Sequence, residues 1–211
     1  MTDRPITSPE IDSYLAALLP ERDEVLCEME EIARQRRIPI VGPAVGRYLH
    51  LLARAIGARR IFEAGSAIGY STIWLARAAG PRAEIYYSDG DPDRARDALA
   101  YFKRAGVEKR IQIQTGDALR LLRKTPGTFD LIFCDVEKEQ YPAAFGLAVP
   151  RVRRGGLFLT DNVLWSGRVS ESSSDQRTQA IQKFNRLVYS SRALFPVIVP
   201  LRDGVVVCHK R

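Results

Sequence analysis

Cysteine, histidine, methionine and tryptophan are all scarce in this chain of 211 residues, with 3, 2, 2 and 2 copies. Cys27, Cys134 and Cys208 are odd in number and far apart, so they make neither a disulfide framework nor a CxxC pair. Only His50 and His209 stand beside them, and a Cys/His zinc site lacks the ligands it needs. No stretch approaches the ~18 apolar residues of a membrane-span candidate. The apolar run 14–19 follows Asp3, Glu10 and Asp12 and is too short for a secretory leader. These absences lead to the expectation of a soluble, cytoplasmic protein with no membrane partner. What is present is ordinary globular composition, 45% hydrophobic and 27% charged. The length suits one domain, which would bury roughly 70% of its unfolded surface without covalent staples. Lys and Arg number 32 against 25 Asp and Glu, a formal charge of +7 that invites a nucleic-acid partner.

Periodicity organises the chain. Residues 8–37 carry apolar positions at helical spacing (Leu15, Leu18, Leu19, then Val25, Met29, Ile32), interrupted at Pro20. Ser8 or Ser13 is placed to cap, and Arg34, Arg36 and Arg37 suit a helix C-terminus. Two prolines in 38–43 predict extended loop, followed by an amphipathic helix over 45–56. From residue 59 short apolar runs alternate with helical patterns. Strands are expected at 60–64, 84–88, 111–115, 129–135 and 156–160, and helices near 71–79, 93–105, 118–123 and 140–149. This alternation predicts an α/β fold, a doubly wound parallel sheet with helices on both faces. A serine-rich loop, a helix over 175–190 and β-rich runs at 193–200 and 204–209 follow. Arg202-Asp203-Gly204 reads as a hairpin turn, which makes the last two strands antiparallel. The expectation is a single domain over 1–211 with 1–58 as an N-terminal helical cap.

The first crossover of such a sheet is where nucleotide-like ligands sit, at the carboxyl ends of the strands. There the chain reads Glu63-Ala-Gly65-Ser-Ala-Ile-Gly69-Tyr70-Ser71. Gly65 and Gly69 let backbone approach a ligand, but the spacing is not the dinucleotide GxGxxG. Glu63 beside the loop disfavours a pyrophosphate and favours a cation. Asp89 ends the second strand, 20 residues after Gly69, where a carboxylate accepts from ribose hydroxyls. Asp117 follows the third strand and can reach an adenine amino group. Each acid taken alone could simply cap the next helix. Taken in order, they predict an S-adenosylmethionine site.

A second group follows the fourth and fifth strands, Cys134-Asp135-Val-Glu-Lys138 and Thr160-Asp161-Asn162-Val-Leu-Trp165. Adjacent parallel strands would bring Asp135, Asp161 and Asn162 to one edge. Two carboxylates and an amide oxygen form a hard ligand set for Mg²⁺, Ca²⁺ or Mn²⁺. Lys138 is placed to accept a proton from a bound hydroxyl, because a nearby dication depresses its pKa.

With these residues assembled, the chain resembles the metal-dependent catechol and caffeoyl-CoA type O-methyltransferases and their small bacterial relatives. The resemblance runs from about Ile38 to the C-terminus on the motifs EAGSAIGYS, GDA, FDLIFCDVEKEQY and GGLFLTDNVLWSGRV. It implies a Rossmann-like seven-stranded sheet with an antiparallel last strand, and a homodimer. It implies that Val41, Glu63, Gly65, Gly69, Tyr70, Ser71, Asp89, Asp117 and Asp135 surround S-adenosylmethionine. Asp135, Asp161 and Asn162 would hold the cation, Lys138 would be the base, and Trp165 would line the acceptor site. The acceptor would be a small molecule, a catechol-like or other vicinal diol. Departures fall at Ala44, where relatives often carry Glu, at Asp89 in place of Glu, and at Val136-Glu137. The segment 189–196 also lacks a frequent Asp-Pro-Arg pattern.

Two rival functions fit the residues less well. A nucleic-acid methyltransferase would use arginines such as Arg59/Arg60 and Arg151/Arg153/Arg154, but the Asn/Asp-Pro-Pro-aromatic sequence of base-amino enzymes is replaced by Cys134-Asp135-Val136-Glu137. The arginines are also interleaved with acids, which weighs against a nucleic-acid groove. A cofactor-binding module without turnover would have no need of the cation triad and Lys138.

Overall fold

The alternation of short β-branched runs with capped helices is realised as a seven-stranded sheet flanked by helices. The structure, a computed structural model, describes residues 6–211. Its first elements are α1 (Pro9–Ala17), α2 (Glu24–Arg36), α3 (Gly42–Ala55), β1 (Arg60–Ala64) and α4 (Tyr70–Ala79). Then come β2 (Glu84–Asp89), α5 (Pro92–Arg104), β3 (Ile111–Thr115), α6 (Ala118–Lys124) and β4 (Phe129–Cys134). The chain closes with α7 (Tyr141–Ala148), β5 (Val152–Thr160), α8 (Gln176–Ser190), β6 (Leu194–Val199) and β7 (Val205–Lys210). The strand order is β3-β2-β1-β4-β5-β7-β6. The chain forms two compact units, one of Leu19–Pro126 and one of Gly127–Arg211 with the described residues through Leu18.

In the unit Leu19–Pro126, β1, β2 and β3 pair in parallel, with Ala64 opposite Ser88 and Asp89 opposite Thr115. Side-chain caps start its helices. Asp23 accepts from the amides of Val25 and Leu26, Asp91 from those of Asp93 and Arg94, and Asp117 from that of Arg120. Helix α4 is buried along nearly its whole length, from Tyr70 through Ala76 and at Ala78. An apolar helix entered directly from the glycine loop is therefore anchored in the core.

In the unit containing Gly127–Arg211, β4 and β5 are parallel, β7 is antiparallel to β5, and β6 is antiparallel to β7. Tyr141, Phe145, Phe158 and Phe184 form an edge-to-face aromatic cluster, with centroids 5.3 Å apart for Tyr141 and Phe184. It welds α7 and α8 to β5. Cys134 is a buried core residue whose thiol is pushed up to about 12 by burial, which makes it no nucleophile.

The structure corrects the sequence reading in two places. Helix α3 starts at Gly42, inside the expected loop, because Pro43 falls in the first helical turn where a missing N–H is harmless. Strand β5 starts at Val152 rather than residue 156, continuing through Arg153, Arg154 and two glycines that carry no apolar pattern. Helix α1 forms and is capped by Ser8, but none of its residues is buried.

Candidate active site

The unit Leu19–Pro126 holds the first group of candidate residues. Glu63, near the end of β1, is fully buried, and its carboxylate accepts a hydrogen bond from the Thr72 hydroxyl. Its carbonyl accepts from Ser88 Oγ at 2.6 Å, which ties β1 to β2. The loop then turns over the end of β2, where the amides of Gly65 and Ser66 both donate to the Ser88 carbonyl, at 3.1 and 3.0 Å. Gly69 caps α4 at φ +83°, and a Cβ there would lie 2.5 Å from the Phe102 ring, so only glycine fits the turn.

Asp89 serves this loop directly. Its Oδ2 accepts from the Ala67 amide at 2.8 Å and its Oδ1 from the Asp91 amide at 2.9 Å. A carboxylate offers about four lone-pair positions, so acceptor capacity remains for ribose hydroxyls. Asp117 is exposed and caps α6, accepting from Arg120 N at 2.7 Å. Tyr70 is buried, and its hydroxyl donates to Glu30 Oε1 at 2.7 Å, while Arg22 grips the same carboxylate at 3.0 and 2.7 Å. Ser71 is buried in the first turn of α4, and Val41 is buried at the start of α3. Glu30 and Arg22 were missed from sequence because they lie about 40 residues before the loop that they brace.

The other unit holds the second group. Lys138 opens a short 3₁₀ turn after β4, and its Nζ donates to Asp135 Oδ1 at 2.8 Å, Tyr141 OH at 2.8 Å and Asn162 Oδ1 at 3.0 Å. Its side chain is 15% exposed and that of Asp135 is 24% exposed, so this pair is largely withdrawn from water. Asp161 is buried beside it, and burial together with the Asp135 charge pushes its carboxyl up to about 7. The Tyr141 hydroxyl donates to the Asp161 carbonyl at 2.8 Å, joining the start of α7 to the end of β5. Burial raises that phenol well above its ordinary value, so it stays protonated.

This arrangement fits a divalent cation. An ammonium already bridges Asp135 and Asn162, and burial together with the Asp135 charge penalises the ionised form of Asp161 beside them. Among the described residues, no three His, Cys, Asp or Glu side chains cluster as a metal site; the third oxygen here belongs to an amide.

The loop after β5 is held from a distance. Asn185 of α8 donates to the Val163 carbonyl at 2.9 Å, and the β6–β7 turn receives the amides of Val163 and Leu164, each at 3.0 Å. Asn162, Trp165 and Ser166 have φ of 58°, 50° and 52°, a concentration of left-handed backbone that surrounding contacts must sustain. The Trp165 indole lies under the Arg168 guanidinium, 5.4 Å from the ring centroid, and its buried Nε1 has no hydrogen-bond partner among the described residues. Trp165 is therefore not tied to the Lys138 cluster through its indole N–H. Tyr141 and Asp203 were missed as parts of this site. Tyr141 lies three residues beyond Lys138 within the motif itself, but Asp203 gave only a turn signal.

Many of the arginines are locally neutralised. Arg34 pairs with Glu31, Arg36 with Asp97, Arg94 with Asp91 and Arg153 with Asp130. His50 packs against Trp74, with Nδ1 3.2 Å from the Trp74 carbonyl. No helix among the described residues is long and apolar enough to cross a membrane.

The catechol O-methyltransferase of Niastella koreensis is 33% identical over 198 residues, covering 90% of this chain and 90% of that protein. The catechol O-methyltransferase of Mycobacterium tuberculosis is 34% identical, covering 86% and 84%. Among solved structures, the Bacillus cereus O-methyltransferase bound to S-adenosylhomocysteine superposes with a TM-score of 0.87 at 30% identity, covering 96% and 97%. The O-methyltransferase TomG of Streptomyces achromogenes, involved in tomaymycin synthesis and bound to S-adenosylmethionine, gives 0.86 at 29% identity, covering 95% and 96%. The O-methyltransferase family model matches residues 17–211. With this match extending over both groups of candidate residues, the chain belongs to the O-methyltransferase family and is an S-adenosylmethionine-dependent class I enzyme.

Proposed function

We propose that this enzyme methylates a hydroxyl of a catechol or a related vicinal diol, with the help of a divalent cation held by Asp135, Asp161 and Asn162. The observation that carries the reading is the position of Lys138 Nζ, within 3.0 Å of oxygens on both Asp135 and Asn162. A positive charge is thus favoured between Asp135 and Asn162, two of the three proposed ligands. The names of the two catechol O-methyltransferase relatives point to the same acceptor class.

In this reading, Asp89 accepts from the ribose hydroxyls of the donor while holding the Ala67 amide, and Asp117 receives the adenine amino group. Glu63, Tyr70, Ser71, Val41 and the Gly65–Gly69 turn complete the donor site. In its neutral amine form Lys138 would accept the proton released by the attacking hydroxyl, and Asp135, Tyr141 and Asn162 hold Nζ in place for that transfer. A bound dication would supply Lewis acidity, lowering the pKa of a chelating hydroxyl. Trp165 would line the acceptor site with its ring. The sulfonium methyl is already activated, so alignment of oxygen and methyl supplies much of the acceleration.

A panel of diphenols with isotopically labelled S-adenosylmethionine, with and without Mg²⁺, tests the proposal. Catechols are expected to take label only with cation, and simple monophenols to take little. Equal rates after exhaustive chelation would overturn the cation assignment, and a preference for monophenols would overturn the acceptor class.

A further inference from the structure

We propose that Asp203, in the turn between β6 and β7, is a positioning residue that sets the orientation of the Asn162 amide. The inference rests on the reading of Asn162 as a cation ligand. Asp203 Oδ1 accepts from the Ser166 amide at 2.5 Å, and Oδ2 accepts from Asn162 Nδ2 at 3.4 Å. The same turn receives two further amides, Leu164 N on the Asp203 carbonyl and Val163 N on the Gly204 carbonyl, each at 3.0 Å. Gly204 permits this approach: its φ is +82°, and a Cβ would lie 2.5 Å from Leu164 Cγ. The turn is therefore a clamp on residues 162–166.

The direction of the clamp follows from hydrogen-bond chemistry. A primary amide has one accepting end and one donating end, a carboxylate only accepts, and an ammonium only donates. Asn162 lies between the Asp203 carboxylate and the Lys138 ammonium, with Nδ2 toward the first and Oδ1 toward the second. The reversed amide would set carbonyl against carboxylate and NH₂ against ammonium, losing both bonds. When a cation takes over the Oδ1 side, Asp203 still holds the other end. An amide presented by its nitrogen cannot ligate a hard cation, so the ligand set depends on a carboxylate 41 residues away.

Substitution can invert this polarity. In Asp203→Asn the new amide keeps an oxygen for Ser166 N and turns its NH₂ toward Asn162, which must flip and offer NH₂ to the cation site. Adding Asn162→Asp removes the distinction, since either carboxylate oxygen can ligate while the other accepts from the amide introduced at position 203. Mn²⁺ binding, read by loss of the free-ion EPR signal below every variant's melting transition, decides the matter. Asp203→Asn is expected to raise the Mn²⁺ Kd about 10–100-fold, the usual effect of removing a partner behind a metal ligand. The double variant is expected to recover most of that loss, which a merely structural role for Asp203 would not allow. A Kd for Asp203→Asn within about twofold of wild type, or a double variant no tighter than the single one, overturns the proposal. Asn162→Ala separates the two levels: Mn²⁺ binding as tight as wild type shows that Asn162 is no ligand and overturns the underlying reading as well.

Discussion

The two groups of candidate residues are built in opposite ways. The glycine-loop group is nearly self-contained: Glu63, Gly65, Ser66, Ala67 and Gly69 are consecutive or nearly so, and strand β2 supplies Ser88 and Asp89 to hold them. Its buried acid Asp89 holds two backbone amides. The Lys138 group instead gathers ionised side chains of both signs, puts two carboxylates together, and rests on a loop with several left-handed residues. Its supports come from α7, α8 and the β6–β7 turn. A site for a large donor with many contacts tolerates a locally encoded cradle. A site where charge must move needs its groups fixed from several directions.

Substituting the charged group should break the comparison most sharply. Lys138→Ala is expected to lower kcat by roughly 10²–10⁴, the range for losing a general base. S-adenosylmethionine affinity, measured calorimetrically, should stay nearly unchanged, since the loop group holds its own contacts. Weakened donor binding that matched the loss in kcat would mean that Lys138 acts on the donor rather than on the acceptor hydroxyl.

The carboxylate pair gives a second contrast, in stability rather than rate. The folded Asp161 carboxyl is raised from 3.8 to about 7 by burial and by Asp135. Between those values the native state binds more protons than the unfolded chain, so stability falls as pH rises from about 4 to about 7. In chelator, wild type minus Asp161→Asn should therefore decline across that window, by a few °C of Tm for each kcal/mol in a chain of this size. Added Mg²⁺ should stabilise wild type at the upper end. A difference independent of pH would show that the pair is not strained in the cation-free protein. In the loop group, Asp89→Ala should weaken S-adenosylmethionine binding about tenfold, through the lost acceptor and the released Ala67 amide. Mn²⁺ binding should not change; a parallel loss would mean that the two groups are less independent than their bonding implies.

The same contrast explains what was legible in the sequence. The sheet was readable because buried strands write apolar runs and capped helices announce their starts, as at Asp91 and Asp117. The misplaced boundaries at Gly42 and Val152 occur where proline at a helix start and arginines in a strand contradict the usual signals. Asp89, Asp135, Lys138, Asp161 and Asn162 could be proposed because strand ends fix where a side chain emerges. Asp203 and Asn185 could not, since a turn residue and a polar position on a helix carry no mark of the distant loop that they hold. Glu30 and Arg22 were hidden for the same reason on the other side of the comparison.

Tyr141 offers the finest test of how the Lys138 group is held. Its ring is packed by Phe184, so Tyr141→Phe keeps the aromatic cluster and removes only the hydroxyl. That hydroxyl has one proton, given to the Asp161 carbonyl, and its oxygen receives Lys138 Nζ. Lys138 keeps Asp135 and Asn162 after the change, so Nζ loses one of three constraints rather than its place. About 1 kcal/mol of net hydrogen bonding is at stake, which corresponds to less than a tenfold fall in kcat. Because the hydroxyl's close partners are Lys138 and the Asp161 carbonyl, KM for S-adenosylmethionine should not move, and the effect should vanish in the Lys138→Ala background. A Tyr141→Phe protein that loses activity equally with and without Lys138 would show that the phenol acts through the Asp161 backbone alone, and that the end of β5, not the lysine, is what it fixes.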